Sequence, residues 1–348
     1  MGRSRVNSDA LAETARLLVA HDKGLLAIDE SNATCNGRFA QLGIPQTAEA
    51  RRSYRELIVT TEGLGESISG AILYDETIRQ RTKAGLLFTE VLAKAGIAVG
   101  IKVDIGAKDL ASHPGEKITE GLDGLRGRLE DYRRLGASFA KWRAVIALGV
   151  GIPSKACINA NAHALARYAA LCQEVGLVPV VEAEVLMDGD HSLEACRAAT
   201  ESVLRAVFAE LFSQGVGLEA MILKPNMVLP GQTSATQESP DVIAETTLGS
   251  LLRVVPAAVP AIAFLSGGQA ADLATARLNA MNTKTTAAGS RPPWALTFSF
   301  ARAIQQPALD IWRGDKANVL AAQRALWRRA HLNRLARRGE YDAAMEAA

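Results

Sequence analysis

The chain has 348 residues, of which 48% are hydrophobic, and its formal net charge is +2. A chain of this size can bury the core of one large domain or of two smaller ones. The near-zero net charge gives no attraction to nucleic acid or to an anionic membrane surface, and no apolar run is long enough to cross a bilayer. We therefore expect neither nucleic acid nor a membrane as a partner.

The N-terminal segment and the cysteines both bear on localisation. Residues 1–18 contain no long apolar core and no cleavage-type ending, so we expect no signal peptide. The four cysteines are widely spaced and form no CxxC pair, which is typical of reduced thiols in a cytosolic protein. The sequence thus predicts a cytoplasmic protein with free cysteines at Cys35, Cys157, Cys172 and Cys196.

Eight short apolar segments follow one another along the chain. They are nearly continuously apolar, as parallel strands covered by helices on both sides are. The predicted strands span residues 24–29, 70–75, 98–104, 139–146, 178–186, 219–228, 261–268 and 294–300.

Amphipathic helical patterns fill the intervals between these strands. The pattern over 154–176 ends on Gly176 and the pattern over 191–215 ends on Gly215, and glycine is the usual C-terminal cap of a helix. Two further patterns, over 268–283 and 316–339, continue the series.

The alternation of strand and helix predicts the fold. Eight such units with right-handed crossovers fit an α/β protein with a (β/α)8 TIM barrel and extra N-terminal and C-terminal helices. An open doubly wound sheet would require a glycine-rich loop after the first strand, and "AIDESNATCNGRFA" is not one. Because no linker divides the chain, we predict a single domain over 1–348, with a C-terminal helical segment at about 315–348.

Polar residues stand late in several of these apolar strands. Each has an ordinary explanation when taken alone, because a strand-end lysine often reaches solvent and a carboxylate often caps the next helix. In a barrel, however, the C-terminal ends of the strands meet, and catalytic residues are found there. Their shared position favours one functional pocket formed by Asp29, Lys102, Lys141, Glu182, Glu184, Lys224 and Ser266.

Lys224 is the candidate nucleophile of this pocket. Burial and a second nearby cation both lower the pKa of an amine, and Lys141 is placed to be that cation. A free amine can form an iminium with a ketone, and the iminium accepts electrons when a neighbouring carbon–carbon bond breaks. Carboxylates for the proton transfers are supplied by Asp29, Glu182 and Glu184.

A phosphate site is predicted after the seventh and eighth strands. The stretch "LSGGQ" at 265–269 follows a strand and precedes a helix, and the N–H groups of Gly267 and Gly268 suit a phosphate there. Arg302 follows the eighth strand and can bind the same phosphate through two hydrogen bonds.

The sequence predicts no metal and no cofactor. The five histidines are scattered, and none has the paired spacing of metal ligands. A metal-free Schiff-base route therefore fits the sequence better than a metal-stabilised enediolate.

Nine stretches between about residue 20 and about residue 330 make the chain resemble class I fructose-bisphosphate aldolase. The most specific are "LKPNMVLPG" and "FAKWR", and others include "KGLLAIDESN", "VPVVEAEVLMDGDH" and "FLSGGQ". The resemblance implies reversible cleavage of fructose 1,6-bisphosphate to dihydroxyacetone phosphate and glyceraldehyde 3-phosphate. It also implies a homotetramer that acts in glycolysis and gluconeogenesis.

The resemblance further implies a role for each matching residue. Lys224 is similar to the Schiff-base lysine, Glu182 to the general acid/base, and Asp29 to the carboxylate that assists cleavage of the C3–C4 bond. Lys141 and Glu184 are similar to the residues that tune charge and protonation. The implied substrate-binding residues are Ser266, Gly267, Gly268, Ser299 and Arg302 on the C1-phosphate side, and Ser31, Thr34, Arg38 and Lys102 on the C6-phosphate side, with Arg143 beside Lys141.

Four positions depart from the family pattern. Gly37 stands where many relatives have a basic residue beside Arg38, which predicts a weaker grip on the C6 phosphate. Ile105 replaces a lysine that is common in relatives. Ala301 replaces a glycine and would be strained if its φ were positive. Tyr341 is a candidate substitute for the C-terminal tyrosine that serves proton exchange in animal and plant relatives, although packing at a helix end is an equal alternative.

Two other functions stay open on the sequence alone. The first is a related Schiff-base lyase, such as a transaldolase or a deoxyribose-phosphate aldolase. The second is an aldolase-like scaffold without activity. The sequence also leaves open the preference among fructose 1,6-bisphosphate, fructose 1-phosphate and sedoheptulose 1,7-bisphosphate.

Overall fold

The computed structural model of the chain describes residues 5–287 and 292–347. The first four residues, where the segment considered for a signal peptide begins, lie outside this range. Within the described part, the strands are β1 (Gly24–Ile28), β2 (Ile68–Leu73), β3 (Ala98–Lys102), β4 (Gly106–Asp109), β5 (Lys117–Glu120), β6 (Phe139–Ile146), β7 (Val178–Val185), β8 (Ile222–Leu223), β9 (Ala261–Phe264) and β10 (Ala295–Phe300).

Eight of these strands close into a parallel barrel in the order β1–β10–β9–β8–β7–β6–β3–β2. The predicted barrel is therefore confirmed, and each of the eight predicted segments contains one strand of the barrel. The helices are α1 (Arg5–Leu17), α2 (Asn32–Gln41), α3 (Ala48–Val59), α4 (Asp75–Ile78), α5 (Phe88–Lys94), α6 (Leu125–Arg134), α7 (Lys155–Val175), α8 (Leu193–Ser213), α9 (Pro240–Val254), α10 (Ala271–Ala287), α11 (Arg302–Trp312) and α12 (Val319–Arg338).

The helix ends follow the predicted capping chemistry. Ser154 begins α7 by accepting a hydrogen bond from the backbone N–H of Cys157, and Gly176 ends the helix in the left-handed conformation. Gly215, with a φ of 68°, follows the end of α8 in the same conformation. These residues satisfy backbone groups that the helix itself leaves unpaired. No described helix combines the length and the apolar character needed to cross a membrane.

The extra N-terminal helix closes one end of the barrel. Leu11, Ala15 and Leu18, on and just after α1, pack against the inward-facing side chains at the N-terminal ends of the strands, which include Leu25 and Phe139. This apolar layer forms the floor below the polar end of the barrel. That the whole chain forms a single domain stays a prediction.

Two features of the fold differ from the sequence expectation. The predicted strand over 219–228 is reduced to Ile222–Leu223, because Pro225 has no N–H to donate and ends the ladder after Lys224. The structure also adds a hairpin, β4–β5, that the sequence did not predict. Thr119 anchors the hairpin by donating its hydroxyl to the carbonyl of Arg143, 2.8 Å away on β6.

Candidate active site at the carboxyl end of the barrel

A cavity of about 380 Å³ lies at the C-terminal ends of the barrel strands. Residues from β1, β3, β6, β7 and the segments that follow β8, β9 and β10 line it, together with the start of the β4–β5 hairpin. Every site residue that the sequence predicted lies on its wall: Asp29, Ser31, Thr34, Arg38, Lys102, Lys141, Arg143, Glu182, Glu184, Lys224, Ser266, Gly267, Gly268, Ser299 and Arg302.

Lys224 belongs to a buried network of alternating charges. Its Nζ lies 3.2 Å from Oε1 of Glu182, and the other oxygen of the same carboxylate lies 3.2 Å from Nζ of Lys141. Lys141 also lies 2.7 Å from Oδ2 of Asp29. Two lysine side chains and two carboxylates are thus joined in one chain of contacts, and Glu182 bridges the two lysines.

The network fixes the protonation of its carboxylates. Burial alone would raise the pKa of Asp29, but the charges of Lys141 and Lys224 outweigh burial and lower the pKa to about 2. Burial would likewise raise the pKa of Glu182, and Lys141, Lys224 and Arg143 lower it below its ordinary value. Asp29 and Glu182 in turn raise the pKa of Lys141 against the effect of burial. At neutral pH both carboxylates are ionised and Lys141 is an ammonium.

Glu184 forms a second ion pair on the same wall. Alternation along β7 places Glu182 and Glu184 on one face, and that face is the barrel interior, where both side chains are buried. Oε2 of Glu184 accepts a hydrogen bond of 2.5 Å from Nε of Arg143 on the neighbouring strand. Both glutamates therefore face the cavity and not the bulk solvent.

The predicted C1-phosphate side is a tight turn after β9. Gly267 and Gly268 have φ values of 58° and 95°, a conformation that favours glycine at both positions. The helix that follows, α10, begins at Ala271, which is three residues later than the predicted start at residue 268. Arg302, the first residue of α11, is exposed, and its Nη2 would lie only 2.9 Å from a β-carbon added to Gly268. The turn and this guanidinium therefore face each other.

Ala301 and Ser299 lie on the same side of the cavity. Ala301 has a φ of −104°, so the strain considered for an alanine at this position does not arise. Ser299 on β10 is buried, and its hydroxyl has no hydrogen-bond partner among the described residues. That hydroxyl is available to a ligand in the cavity.

The predicted C6-phosphate side consists of cations that already have carboxylate partners. Arg38 pairs with Glu30 at 2.7 Å, and Lys102 pairs with Asp104 at 3.3 Å. Ser31 caps α2 by accepting from the N–H of Thr34, so the capping role considered for this region falls on Ser31, whereas Asp29 pairs with Lys141.

Gly37 and Ile105, the two positions on the C6 side that depart from the family pattern, do not line the cavity. No atom lies within 4 Å of a β-carbon added to Gly37, so a longer side chain would find open space there. Ile105 is exposed, with 62% of its surface accessible. Neither position supplies a charge to the cavity.

Sequence reasoning missed three charged residues at this site. Asp104 is buried, pairs with Lys102 and accepts a hydrogen bond from the backbone N–H of Arg143. Glu30 accepts from both Arg38 and Arg55. The signal for Asp104 was its position two residues after Lys102 in the predicted strand 98–104, which places both on one face. Arg55 lies on α3, and no local pattern connects it to Glu30.

Tyr341 does not line the cavity. Its hydroxyl donates to Oε1 of Glu346 at 3.0 Å, and its backbone N–H donates to Asn279 on α10. Burial and the Glu346 carboxylate raise its pKa to about 12. In this arrangement Tyr341 packs the C-terminal end of the chain. Within residues 5–287 and 292–347, no group of three or more His, Cys, Asp or Glu residues is arranged to hold a metal ion.

Known proteins resemble this chain over nearly its whole length. A family described as "Fructose-bisphosphate aldolase class-I" matches residues 10–348. A probable class 1 fructose-bisphosphate aldolase of Xanthomonas campestris pv. campestris is 54% identical over 96% of this chain and 98% of its own length. Cytosolic fructose-bisphosphate aldolase 4 of Arabidopsis thaliana is 47% identical over 97% of this chain and 85% of its own. A solved structure of the Plasmodium falciparum fructose-bisphosphate aldolase, 43% identical, superposes with a TM-score of 0.94 over 98% of this chain and 97% of that one.

Proposed function

Because the chain belongs to the class I fructose-bisphosphate aldolase family, a family of metal-independent lyases, we propose that this cavity cleaves fructose 1,6-bisphosphate with Lys224 as the Schiff-base residue. The products are dihydroxyacetone phosphate and glyceraldehyde 3-phosphate, and the reaction is reversible. The observation that carries the proposal is the buried bridge of Glu182 between Lys224 and Lys141. It gives the nucleophile a proton acceptor within 3.2 Å.

Glu182 can move the proton that controls formation of the iminium. It starts as a carboxylate and takes a proton from the Lys224 ammonium, which leaves a neutral amine. The amine attacks C2 of the open-chain ketose and forms a carbinolamine. Glu182 then returns its proton to the carbinolamine hydroxyl, which leaves as water, and the nitrogen lone pair completes the iminium.

Asp29 and Lys141 serve the cleavage step. The C3–C4 bond breaks, its electrons pass through C2 to the iminium nitrogen, and the C4 hydroxyl loses its proton to Asp29. Lys141 stays an ammonium between the two carboxylates, so it orients both of them and stabilises negative charge as it develops. Glyceraldehyde 3-phosphate leaves first. The enamine on Lys224 is then protonated at C3 and hydrolysed to release dihydroxyacetone phosphate.

The two ends of the substrate are held by different kinds of site. Ser266, Gly267, Gly268 and Arg302 bind the C1 phosphate through N–H groups and a guanidinium, and the Ser299 hydroxyl supplements them. Ser31, Thr34, Arg38 and Lys102 face the C6 phosphate, while Arg143 and Glu184 hold the wall between the two ends. The C6 cations are already paired, which supports tighter binding at the C1 end.

A comparison of two substrates tests this assignment. We expect Arg302→Met to raise KM about tenfold for both fructose 1,6-bisphosphate and fructose 1-phosphate, because both carry the C1 phosphate. Arg38→Met should raise KM for the bisphosphate alone. Arg16→Met, on the exposed face of α1, is the matched control and should leave both values unchanged. Absence of turnover of both substrates by the unmodified protein in EDTA would contradict the proposed function.

Two properties of the whole protein complete the proposal. The first is a homotetramer, the assembly typical of the family. Its interfaces would cover exposed apolar side chains such as Phe212 on α8, which is 85% exposed, and Leu252 on α9, which is 60% exposed. The four buried free cysteines and the cytosolic relatives support a cytoplasmic location. Light scattering during size-exclusion chromatography would test the tetramer, since a monomer mass would contradict it.

A further inference from the structure

A buried arginine stands behind the turn that receives the C1 phosphate in the proposed function. Arg277 lies on α10, and only 5% of its surface is exposed. Its Nη1 donates a hydrogen bond of 2.8 Å to Oε1 of Gln269, the residue that follows Gly268. The backbone N–H of Gln269 donates to the carbonyl of Ser266 and closes the turn. Arg277 is thus connected to the turn through one side chain.

Arg277 differs from the other buried arginines in having no carboxylate partner. Four arginines are buried among the described residues. Burial lowers the pKa of Arg277, and no carboxylate of the described chain lies against it to oppose this effect. The other three each pair with a carboxylate within 2.8 Å: Arg51 with Glu76, Arg55 with Glu30, and Arg329 with Glu346.

A buried guanidinium without a counter-ion is costly. A guanidinium stays charged in proteins, and removing a charge from water costs several kcal/mol unless an opposite charge or a full set of hydrogen bonds replaces the water. In Arg277 the Nε–H also lacks a partner among the described residues. A negative charge that arrives on the other side of the turn would offset part of this cost, because electrostatic interactions are strong where water is excluded.

We propose that Arg277 is a positioning residue of the C1-phosphate site. Through Gln269 it fixes the conformation of the 266–269 turn, and its positive charge is balanced when a phosphate ester binds to that turn. Arg277 does not line the cavity, so it acts on the ligand through Gln269 and through its charge. The inference rests on the proposed function, because it takes this turn as the C1-phosphate site.

Two variants of Arg277 test the inference. We expect Arg277→Met to raise KM for fructose 1,6-bisphosphate and for fructose 1-phosphate at least about fivefold, with kcat within about twofold of the original value. Arg277→Lys keeps the charge and should recover part of the loss. The thermal midpoint of Arg277→Met should stay the same or rise, since an unpaired buried charge is replaced by an apolar side chain.

Arg329→Met is the matched control, because Arg329 is equally buried but pairs with Glu346. It should lower the thermal midpoint and leave KM unchanged. If Arg277→Met does not fold, Gln269→Met removes the acceptor while Arg277 remains, and it should raise KM in the same way. A folded Arg277→Met or Gln269→Met protein with unchanged KM would overturn the inference.

Calorimetric titration with inorganic phosphate separates this inference from the proposed function, since it requires no turnover. Weaker phosphate binding by Arg277→Met, together with normal cleavage by the unmodified protein, supports both. Weaker phosphate binding without any cleavage by the unmodified protein would support the role of Arg277 and contradict the proposed function. Equal phosphate affinity in the two proteins, with cleavage intact, would contradict only the role of Arg277.

Discussion

The two ends of the barrel interior are built on the same strand faces but differ in the kind of side chain that they carry. At the N-terminal end, apolar side chains pack beneath α1, and at the C-terminal end, charged side chains line the cavity. Four of these charged residues each stand two positions after an apolar residue that faces the same way. The four pairs are Ala27 and Asp29, Phe139 and Lys141, Val180 and Glu182, and Ile222 and Lys224.

Along each of these strands, a step of two residues therefore leads from the apolar core to the charged residues of the cavity. The lower residues are fully desolvated and fill space, so their loss should cost stability. The upper residues are also buried, but they satisfy one another's charges and hold a cavity open above the core. Their loss should cost activity first. Four substitutions can break or sharpen this distinction.

The largest effect is expected at the top of the barrel, for Lys224→Met. Without the amine no iminium can form, and we expect kcat to fall by at least about 10⁴-fold. Glu182 keeps Lys141 as a partner, so the free energy of unfolding should change by less than about 2 kcal/mol. Single-turnover kinetics and urea unfolding of the same preparation measure both quantities. Residual turnover near that of the unmodified protein would remove Lys224 from the mechanism.

At the bottom of the barrel, Phe139→Ala should show the opposite pattern. The Phe139 ring occupies the space beside Gly100, where an added β-carbon would lie 2.2 Å from it. Its removal leaves a cavity in the core and should lower the free energy of unfolding by about 3–5 kcal/mol. The kcat of the folded protein at low temperature should stay within about threefold. A loss of activity without a loss of stability would break the distinction between the two layers.

Asp29→Asn tests the charges of the upper layer through their effect on acid stability. The pKa of Asp29 falls from 3.8 to about 2 on folding, so its ion pair stabilises the protein above about pH 4 and is lost as the pH falls through 2. The unmodified protein should therefore lose about 2 kcal/mol more than the variant between pH 5 and pH 2. Urea unfolding across this range measures the difference, and equal losses in both proteins would argue against the ion pair with Lys141.

The smallest effect is expected outside the barrel interior, for Tyr341→Phe. The variant loses the hydrogen bond to Glu346, which should cost about 1 kcal/mol of stability. Since Tyr341 does not line the cavity, kcat and its pH profile should not change. A large fall in kcat, with proton exchange at C3 slowed, would instead support the role of Tyr341 as the substitute for a C-terminal tyrosine.

The sequence predicted most of the barrel and its site because both follow from local patterns. The apolar strands, the capped helices and the polar residues at strand ends can each be recognised within about ten residues of chain. The β4–β5 hairpin was missed because its two strands have four residues each and are mostly accessible to solvent, so they carry little apolar signal.

Contacts between distant segments could not be predicted in this way. The pairing of Glu30 with Arg55 joins the loop after β1 to α3, and the burial of Arg277 without a carboxylate partner in the described chain depends on the helices packed around it. The strand at Lys224 was predicted too long, because the ladder ends where Pro225 removes a donor. Local patterns therefore predicted the residues that line the cavity, whereas their ion-pair partners on distant segments are visible only in the packing.

Trapping of the covalent intermediate tests the central role of Lys224 most directly. The protein is incubated with fructose 1,6-bisphosphate and EDTA, borohydride is added, and the modified peptide is identified by mass spectrometry. A reduced triose-phosphate adduct on Lys224 is the result that we predict. Absence of an adduct, with cleavage abolished by EDTA, would contradict both the Schiff base and the assignment of this site.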